Sequence, residues 1–150
     1  MIFFQISSMD DFYQFEKEIF QLDKACFSDR LWDLDQWATL FKQYRLKVII
    51  VQQEEKLMGF IAFSNIENES EIFKMGVKPS ARNLSIGQQL IEKMINLLKK
   101  NNAEIVFLEV RSDNQSAIKL YSKCLFKLIS RRKNYYQNPV CDALIYQLKV

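Results

Sequence analysis

Histidine is absent from this chain of 150 residues. Without an imidazole group, the chain cannot form a Ser-His-Asp or Cys-His nucleophile, a histidine general base or a metal site that contains histidine. If the protein is an enzyme, its proton transfers must therefore use carboxylate, tyrosine, lysine, cysteine or water.

Cysteine, glycine and proline are scarce, with three, three and two residues respectively. Cys26, Cys124 and Cys141 are widely spaced and do not follow the spacing of a zinc site, so we expect free thiols in a reducing compartment and no metal. Two of the three glycines, Gly76 and Gly87, fall within one short stretch. That stretch therefore differs from the rest of the chain.

Long apolar runs and a strong net charge are also missing. No apolar run approaches the roughly 20 residues that span a bilayer, and the N-terminal Met-Ile-Phe-Phe-Gln lacks the features of a signal peptide. The net charge is only +3, from 21 basic and 18 acidic residues, which does not call for nucleic acid. We expect a cytoplasmic monomer or weak dimer without membrane contact or direct nucleic-acid binding.

The chain is 49% hydrophobic, which is enough for one globular domain over residues 1–150. Apolar spacing predicts helices at 9–22, 33–44, 86–100 and from residue 113 or 114, and strands at 2–6, 46–51, 57–66, 71–77, 104–110, 126–133 and 140–150. This order predicts an α/β fold of the α+β, three-layer kind, with helices on both faces of a mixed, mostly antiparallel sheet of about seven strands. Only the central crossover pair is expected to be parallel.

The stretch from Gly76 to Leu90 follows a strand and leads into the strongest predicted helix. A turn with free N–H groups at a helix N-terminus can hold phosphate. The stretch lacks the Gly-Lys-Ser/Thr ending of a Walker A loop and the three glycines of a dinucleotide fingerprint. The alternative is a plain strand-to-helix turn that needs Gly87 for close packing.

Two residues on the C-terminal side of this stretch, Glu109 and Tyr121, suggest acid–base chemistry. Glu109 is a lone carboxylate in an apolar strand, which is costly to bury, and alternation places it opposite Leu108 and Val110. It is either a solvated glutamate or a base. Tyr121 is either an acid or a core aromatic residue on the same helix face as Cys124.

The loop from Cys26 to Trp32 carries Phe27 and Trp32. It either covers a binding groove or fastens two helices together. Cys124 could act as an acyl-enzyme nucleophile, but nothing in the sequence lowers its pKa. The basic run Lys127, Arg131, Arg132 and Lys133 is a solvated strand face or a contact for a partner or a coenzyme phosphate.

Several of these residues together resemble the GNAT family of N-acetyltransferases. The coenzyme A motif of that family is similar to Val77-Lys78-Pro79 followed by Arg82-x-x-Ser85-Ile86-Gly87. The similarity continues through Leu108-Glu109-Val110-Arg111, Asn114, Leu120-Tyr121, Phe126 and Arg132-x-Asn134-Tyr135-Tyr136. Within the family the chain looks most like the RimI type, which acetylates the N-terminal alanine of a ribosomal protein.

The resemblance implies an acetyl-CoA site at a splay between the two central parallel strands. The pyrophosphate would be held by the loop and helix start, with the set Arg82, Asn83, Leu84, Ser85, Ile86, Gly87 and Gln88. The pantetheine arm would run along Met75, Gly76 and Val77. Asn114 and Tyr121 would also contact the coenzyme.

For the reaction, the resemblance implies Glu109 as general base and Tyr121 as general acid. The acceptor would be a protein N-terminus, most simply the alanine of a small-subunit ribosomal protein. Two alternatives stay open: an acetyltransferase of small amines such as polyamines or amino sugars, and a non-catalytic module that senses acyl-CoA. Tyr135 and Tyr136 border the acceptor cleft or pack the last hairpin.

The chain departs from the family pattern at two glycine positions. Ser85 replaces the first motif glycine, and it should preserve phosphate binding if its φ is negative, whereas a positive φ would cost about 1 kcal/mol. Leu125 replaces the glycine before Phe126 and is expected to reshape the turn after the last helix.

Overall fold

The computed structural model describes residues 1–28 and 30–150; Asp29, in the predicted loop 26–32, lies outside the described residues. The strands are β1 Ile2–Ile6, β2 Lys47–Gln53, β3 Lys56–Ile66, β4 Glu69–Val77, β5 Ile105–Arg111, β6 Lys127–Tyr136 and β7 Cys141–Lys149. The helices are α1 Met9–Tyr13, α2 Glu16–Cys26, α3 Leu34–Tyr44, α4 Ile86–Lys100 and α5 Gln115–Lys123.

The strands form one mixed sheet in the order β1-β2-β3-β4-β5-β7-β6. Strands β4 and β5 are parallel, and α4 connects them. All other neighbouring strands in the described part of the chain are antiparallel. The predicted fold class is therefore confirmed, including the single parallel pair at the crossover.

A separate hydrophobic core lies on each face of the sheet. Helix α4 buries Ile86, Leu90, Met94 and Leu98 in the core that also contains Tyr121 of α5. The helices α1, α2 and α3 cover the opposite face, around Trp37 and Phe12. Because β3 sends alternate side chains into both cores, it is buried on both faces.

Strands β4 and β5 separate halfway along their length. They pair only from Glu69–Ile105 to Ile72–Leu108, although β4 continues to Val77 and β5 to Arg111. The register of β4 against β3 shifts at Phe73, which has no partner there. A bulge of this kind bends the strand and increases its twist, so it lies where the predicted splay begins.

The first predicted helix is broken in two. Phe15, between α1 and α2, has the non-helical angles φ −120° and ψ 8°. The break allows the ring of Phe12 to pack against Trp37, with centroids 4.9 Å apart. It also turns Phe15 toward Phe4 of β1, at 5.7 Å. One continuous helix cannot bring both rings to these neighbours.

Candidate active site

The loop before α4 presents backbone N–H groups at the end of β4. Asn83 and Ser85 have left-handed φ values of 66° and 58°. The first i to i−4 bond of α4 joins the Gln89 N–H to the Ser85 carbonyl oxygen at 3.0 Å. The N–H groups of Ile86, Gly87 and Gln88 in the first helical turn therefore have no intrahelical acceptor.

Ser85 adopts the glycine-like conformation that the sequence left open. Its φ is positive, and its side chain makes no capping hydrogen bond to α4. A left-handed serine costs about 1 kcal/mol relative to glycine. Of the two cases that the sequence left open, the structure shows the positive φ. The φ values of residues 83–85 alternate in sign, a pattern that can orient N–H groups to one side.

Gly87 is small because another helix lies against it. A Cβ atom there would lie 2.8 Å from a methyl group of Leu120 in α5. At Gly76, a Cβ would lie 3.0 Å from Cys26 Sγ. The packing alternative for Gly87 thus holds alongside the phosphate interpretation, since α4 must approach α5 closely for the loop to sit beside Tyr121.

Arg82 contacts the end of β4. Its Nε donates to the Val77 carbonyl oxygen at 3.3 Å. Burial raises the pKa of the Cys26 thiol, and the positive charge of Arg82 opposes this shift. Arg82, Asn83 and Leu84 are all exposed, so the loop is open to solvent while Arg82 joins it to β4.

Glu109 lies on β5 just past the last residue that pairs with β4. Its neighbours Leu108 and Val110 are buried in the α4/α5 core, so Glu109 points to the opposite face, where its side chain is 26% exposed. Its Oε1 accepts a hydrogen bond from the Tyr136 hydroxyl at 3.2 Å, and its Oε2 lies 3.4 Å from the Arg132 guanidinium. The carboxylate is therefore held from β6.

Two arginines contact the ring of Tyr136. The guanidinium of Arg111 lies 5.0 Å from the ring centroid and that of Arg30 lies 5.4 Å from it. Arg111 is 8% exposed and is itself fixed by two 3.0 Å hydrogen bonds to Asp113 and one to the Pro139 carbonyl. Burial, together with the negative charge of Glu109, raises the pKa of Tyr136 to about 12.

A second carboxylate lies near Glu109 on the same face. Burial and the charge of Glu109 raise the pKa of Glu71 in β4. The two carboxylates therefore share this face of β4 and β5 with the arginines that surround Tyr136.

Tyr121 approaches the opening from the other face of the sheet. It is buried in the α4/α5 core beside Leu108 and Val110, and this burial raises its pKa above the ordinary value. The phenol therefore keeps its proton at neutral pH. Glu109 and Tyr121 thus lie on opposite faces of the sheet, with Glu109 next to the point where β4 separates from β5.

The ends of α5 fix the position of Tyr121. At the start, the Asn114 side chain accepts from the Ala117 N–H at 3.2 Å. At the end, the N–H groups of Leu125 and Phe126 donate to the carbonyls of Ser122 and Tyr121, each at 3.0 Å. This is a Schellman motif.

Leu125 occupies the left-handed position of that motif, with φ 69°. The accompanying apolar contact is present between Phe126 and Tyr121, whose ring centroids lie 5.7 Å apart. The expectation that Leu125 reshapes the turn is therefore wrong. The turn keeps the geometry of a glycine C-cap, and the leucine side chain is 74% exposed.

The side chain of Lys74 attaches both helix α2 and the loop that follows it to β4. Lys74 Nζ lies 2.6 Å from Asp23 Oδ1 and donates to the Arg30 carbonyl at 2.6 Å. The rings of Phe27 and Trp32 lie 4.6 and 4.8 Å from the same ammonium group. The two aromatic residues of the predicted loop therefore surround a cation beside the splayed half of β4.

Sequence reasoning missed this cluster and the partners of Glu109. Lys74 could have been found by the argument applied to Glu109, because it is also a lone charge in an apolar run, Ile72-Phe73-Lys74-Met75. Its partner Asp23 lies 51 residues away in sequence (74 − 23). Tyr136 was considered only as a cleft or hairpin residue, since its contact with Glu109 depends on the pairing of β6 with β7.

The remaining observations concern membrane spans, metal sites and cysteines. Within residues 1–28 and 30–150, no helix combines the length and apolar character needed to cross a membrane. Over the same residues, no three His, Cys, Asp or Glu side chains are grouped as they would be around a metal ion. Cys26, Cys124 and Cys141 are free thiols.

A sheet opened between two parallel strands, with a helix N-terminus at the opening, can bind a ligand that carries phosphate. The sequence profile of the acetyltransferase (GNAT) family matches residues 9–126. The chain therefore belongs to this family and is an acetyl-CoA-dependent N-acetyltransferase of the GNAT type.

Known relatives confirm the RimI-type resemblance. The chain is 30% identical over 129 residues to the ribosomal protein bS18-alanine N-acetyltransferase of Haemophilus influenzae, covering 77% of this chain and 86% of that protein. The crystal structure of the ribosomal-protein-S18-alanine N-acetyltransferase from Escherichia coli has a TM-score of 0.85 at 23% identity, over 99% of this chain and 94% of that one. The NatC complex bound to Gag peptide and CoA has a TM-score of 0.79 at 20% identity, over 100% and 99% of the two chains.

Proposed function

We propose that the protein acetylates the N-terminal α-amine of another protein, the alanine of a small-subunit ribosomal protein, with Glu109 as base and Tyr121 as acid. The observation that supports this proposal is that Glu109 follows the last β5 residue paired with β4, whereas Tyr121 is buried on the other face of the sheet. A donor and an acceptor that enter the splay from opposite faces would each meet one of these groups.

The coenzyme would occupy the α4 side of the opening. The exposed loop and first turn of α4, from Asn83 to Gln88, offer free N–H groups and the positive end of a helix dipole to a pyrophosphate. Met75, Gly76 and Val77 have no β5 partner, so their backbone can receive the pantetheine arm in the manner of an added strand. Acetyl-CoA supplies the activated acetyl thioester. Arg82 contributes by joining the loop to Val77.

Glu109 would remove a proton from the attacking amine. An ammonium group cannot act as a nucleophile, and an α-amine with a pKa near 8 is mostly protonated at neutral pH. The two contacts of the Glu109 carboxylate leave lone pairs on both oxygens. These can accept the proton directly or through one water molecule.

Tyr121 would protonate the departing thiolate. Its hydroxyl carries a proton at neutral pH, and a coenzyme on the α4 side would lie on the same face of the sheet as Tyr121. Asn114 supports it by capping the helix that carries it. Cys124 is less suited to a covalent route, because burial raises the pKa of its thiol.

The choice of acceptor is supported by the relatives. The Haemophilus influenzae protein that shares 30% identity is a ribosomal protein bS18-alanine N-acetyltransferase. Substrate choice can still change on a shared fold, so the acceptor needs its own experiment.

The test is a panel of acceptors with acetyl-CoA, monitored by thiol release and by the mass of the product. The panel contains a peptide starting with Ala from a small-subunit ribosomal protein, the same peptide with a blocked N-terminus and an internal lysine, and a polyamine. We expect turnover with the free N-terminus alone. Preferential turnover of the polyamine would support a small-amine acetyltransferase. Coenzyme binding without turnover of any acceptor would support the sensor module.

A further inference from the structure

The carboxylate of Glu109 is held by two groups of unequal rigidity. The Arg132 guanidinium is at 3.4 Å, but the side chain is 54% exposed, and exposed ion pairs of this kind constrain little. The Tyr136 hydroxyl donates to the other carboxylate oxygen at 3.2 Å from a part-buried position. Tyr136 is therefore the stronger constraint on where the carboxylate points.

Tyr136 is held in turn by the two guanidinium groups over its ring. One belongs to Arg111, which is buried at the end of β5 and fixed by Asp113. The other belongs to Arg30, in the loop between α2 and α3. Contact with the buried Arg111 and with Arg30 restrains the rotation of the ring, so the hydroxyl has a defined position next to Glu109.

The same arrangement links Glu109 to the loop. The Arg30 carbonyl accepts from the buried Lys74 ammonium of β4, and the Arg30 side chain lies on Tyr136. The loop, β4 and β6 thus meet around the base on the acceptor side of the splay.

We infer that Tyr136 is a positioning residue for the reaction: its hydroxyl orients the Glu109 carboxylate toward the acceptor amine, and its ring connects that carboxylate to the loop between α2 and α3. The phenol gains and loses no proton in this role. The inference rests on the proposed function, because it requires Glu109 to be the base.

The experiment compares Tyr136→Phe with Tyr135→Phe, each in the natural chain and in a Glu109→Gln chain. Tyr136→Phe keeps the ring between the arginines and removes only the hydroxyl. Tyr135 is the matched control, since its ring contacts Arg132 and phenylalanine preserves that contact. Turnover of the peptide starting with Ala is measured under single-turnover conditions, together with KM for acetyl-CoA and the thermal midpoint.

We expect Tyr136→Phe to lower kcat about tenfold or more, as loss of a hydrogen bond to a charged group does, with KM for acetyl-CoA and the thermal midpoint unchanged. In the Glu109→Gln chain the same substitution should cause no further loss, because its effect passes through that carboxylate. Tyr135→Phe should match the natural chain.

The outcomes separate the two proposals. The positioning role is overturned if Tyr136→Phe is fully active while Glu109→Gln is inactive. It is also overturned if Tyr136→Phe causes the same loss in the natural chain and in the Glu109→Gln chain. In both cases the assignment of Glu109 as base stands. If Glu109→Gln retains full turnover, both proposals are overturned.

Discussion

The coenzyme side and the acceptor side of the splay are built in different ways. Under the proposed function, the groups that bind the coenzyme are backbone N–H groups of one continuous segment, the loop and first turn of α4. On the acceptor side, the working groups are side chains from α2, β4, β5, β6 and a loop, joined by contacts such as Lys74–Asp23 and Tyr136–Glu109. A site made from backbone tolerates changes of side chain that a site made from side chains does not.

Ser85 illustrates the difference. It replaces a motif glycine and adopts the same left-handed backbone, so the N–H groups remain available. On the acceptor side, no equivalent tolerance is expected, because each contact depends on one functional group. The predictions below test this contrast, from the largest expected effect to the smallest.

Replacing Glu109 with Gln should lower kcat by about 10²- to 10⁴-fold, since it removes the general base and keeps the shape. KM for acetyl-CoA should stay within twofold, because the coenzyme side is untouched. Steady-state kinetics on the peptide starting with Ala measures both. Glu71→Gln is the matched control on the neighbouring strand, with kcat within twofold expected. A Glu109→Gln enzyme with normal kcat would remove the base assignment.

Replacing Lys74 with Met should lower the free energy of unfolding by about 3–5 kcal/mol, because it leaves the buried carboxylate of Asp23 without its partner. Urea denaturation followed by tryptophan fluorescence measures this loss. The double variant Lys74→Met, Asp23→Leu should recover much of it, since no charge is then buried. If the single variant is as stable as the natural chain, the ion pair is not what holds the loop.

Replacing Tyr121 with Phe should lower kcat by about 10- to 100-fold through loss of the general acid, without loss of stability. The ring remains to pack against Phe126, and no described residue forms a hydrogen bond with the Tyr121 hydroxyl that would be lost. Stopped assays for kcat and a thermal melt are measured on the same preparation. An unchanged kcat would mean that the phenol is only a core residue.

Replacing Ser85 with Gly should have the smallest effect. Glycine adopts the left-handed conformation without strain, which raises the free energy of unfolding by about 1 kcal/mol. The greater conformational entropy of glycine in the unfolded chain partly offsets this gain. KM for acetyl-CoA should stay within twofold. Leu125→Gly is the control, with the same conformational relief at a turn away from the loop. A tenfold rise in KM for Ser85→Gly alone would show that the serine hydroxyl itself binds the coenzyme.

The parts of the molecule that sequence predicted are those encoded locally. The apolar stripe of α4 and the strand on either side of it identify the crossover, and the short turns between β2, β3 and β4 identify the meander. The coenzyme loop is read in the same way, because its residues are consecutive. The role of Asn114 as the N-cap of α5 also follows from the residues next to it in the sequence.

What sequence did not predict depends on register between distant segments. The bulge at Phe73 turns the Lys74 side chain to the face of the sheet that α2 and Asp23 cover. No local sequence pattern predicts a bulge. The contact of Tyr136 with Glu109 requires β6 to extend three residues beyond its predicted end, from 133 to 136. The left-handed backbone was left open at Ser85 and was not predicted at Leu125, since residue type alone favours negative φ at both positions.

Because side chains alternate along β5, enzymatic activity also reports whether this strand has the correct register. Leu108 and Val110 enter the core while Glu109 faces the acceptor, and β5 is paired with β7 along its full length. A slip of one residue would turn every side chain to the other face, burying the carboxylate and exposing the two apolar residues. A molecule with this register error would be inactive and prone to aggregate. The turnover rate of freshly made protein would therefore be proportional to the fraction of molecules with the correct register.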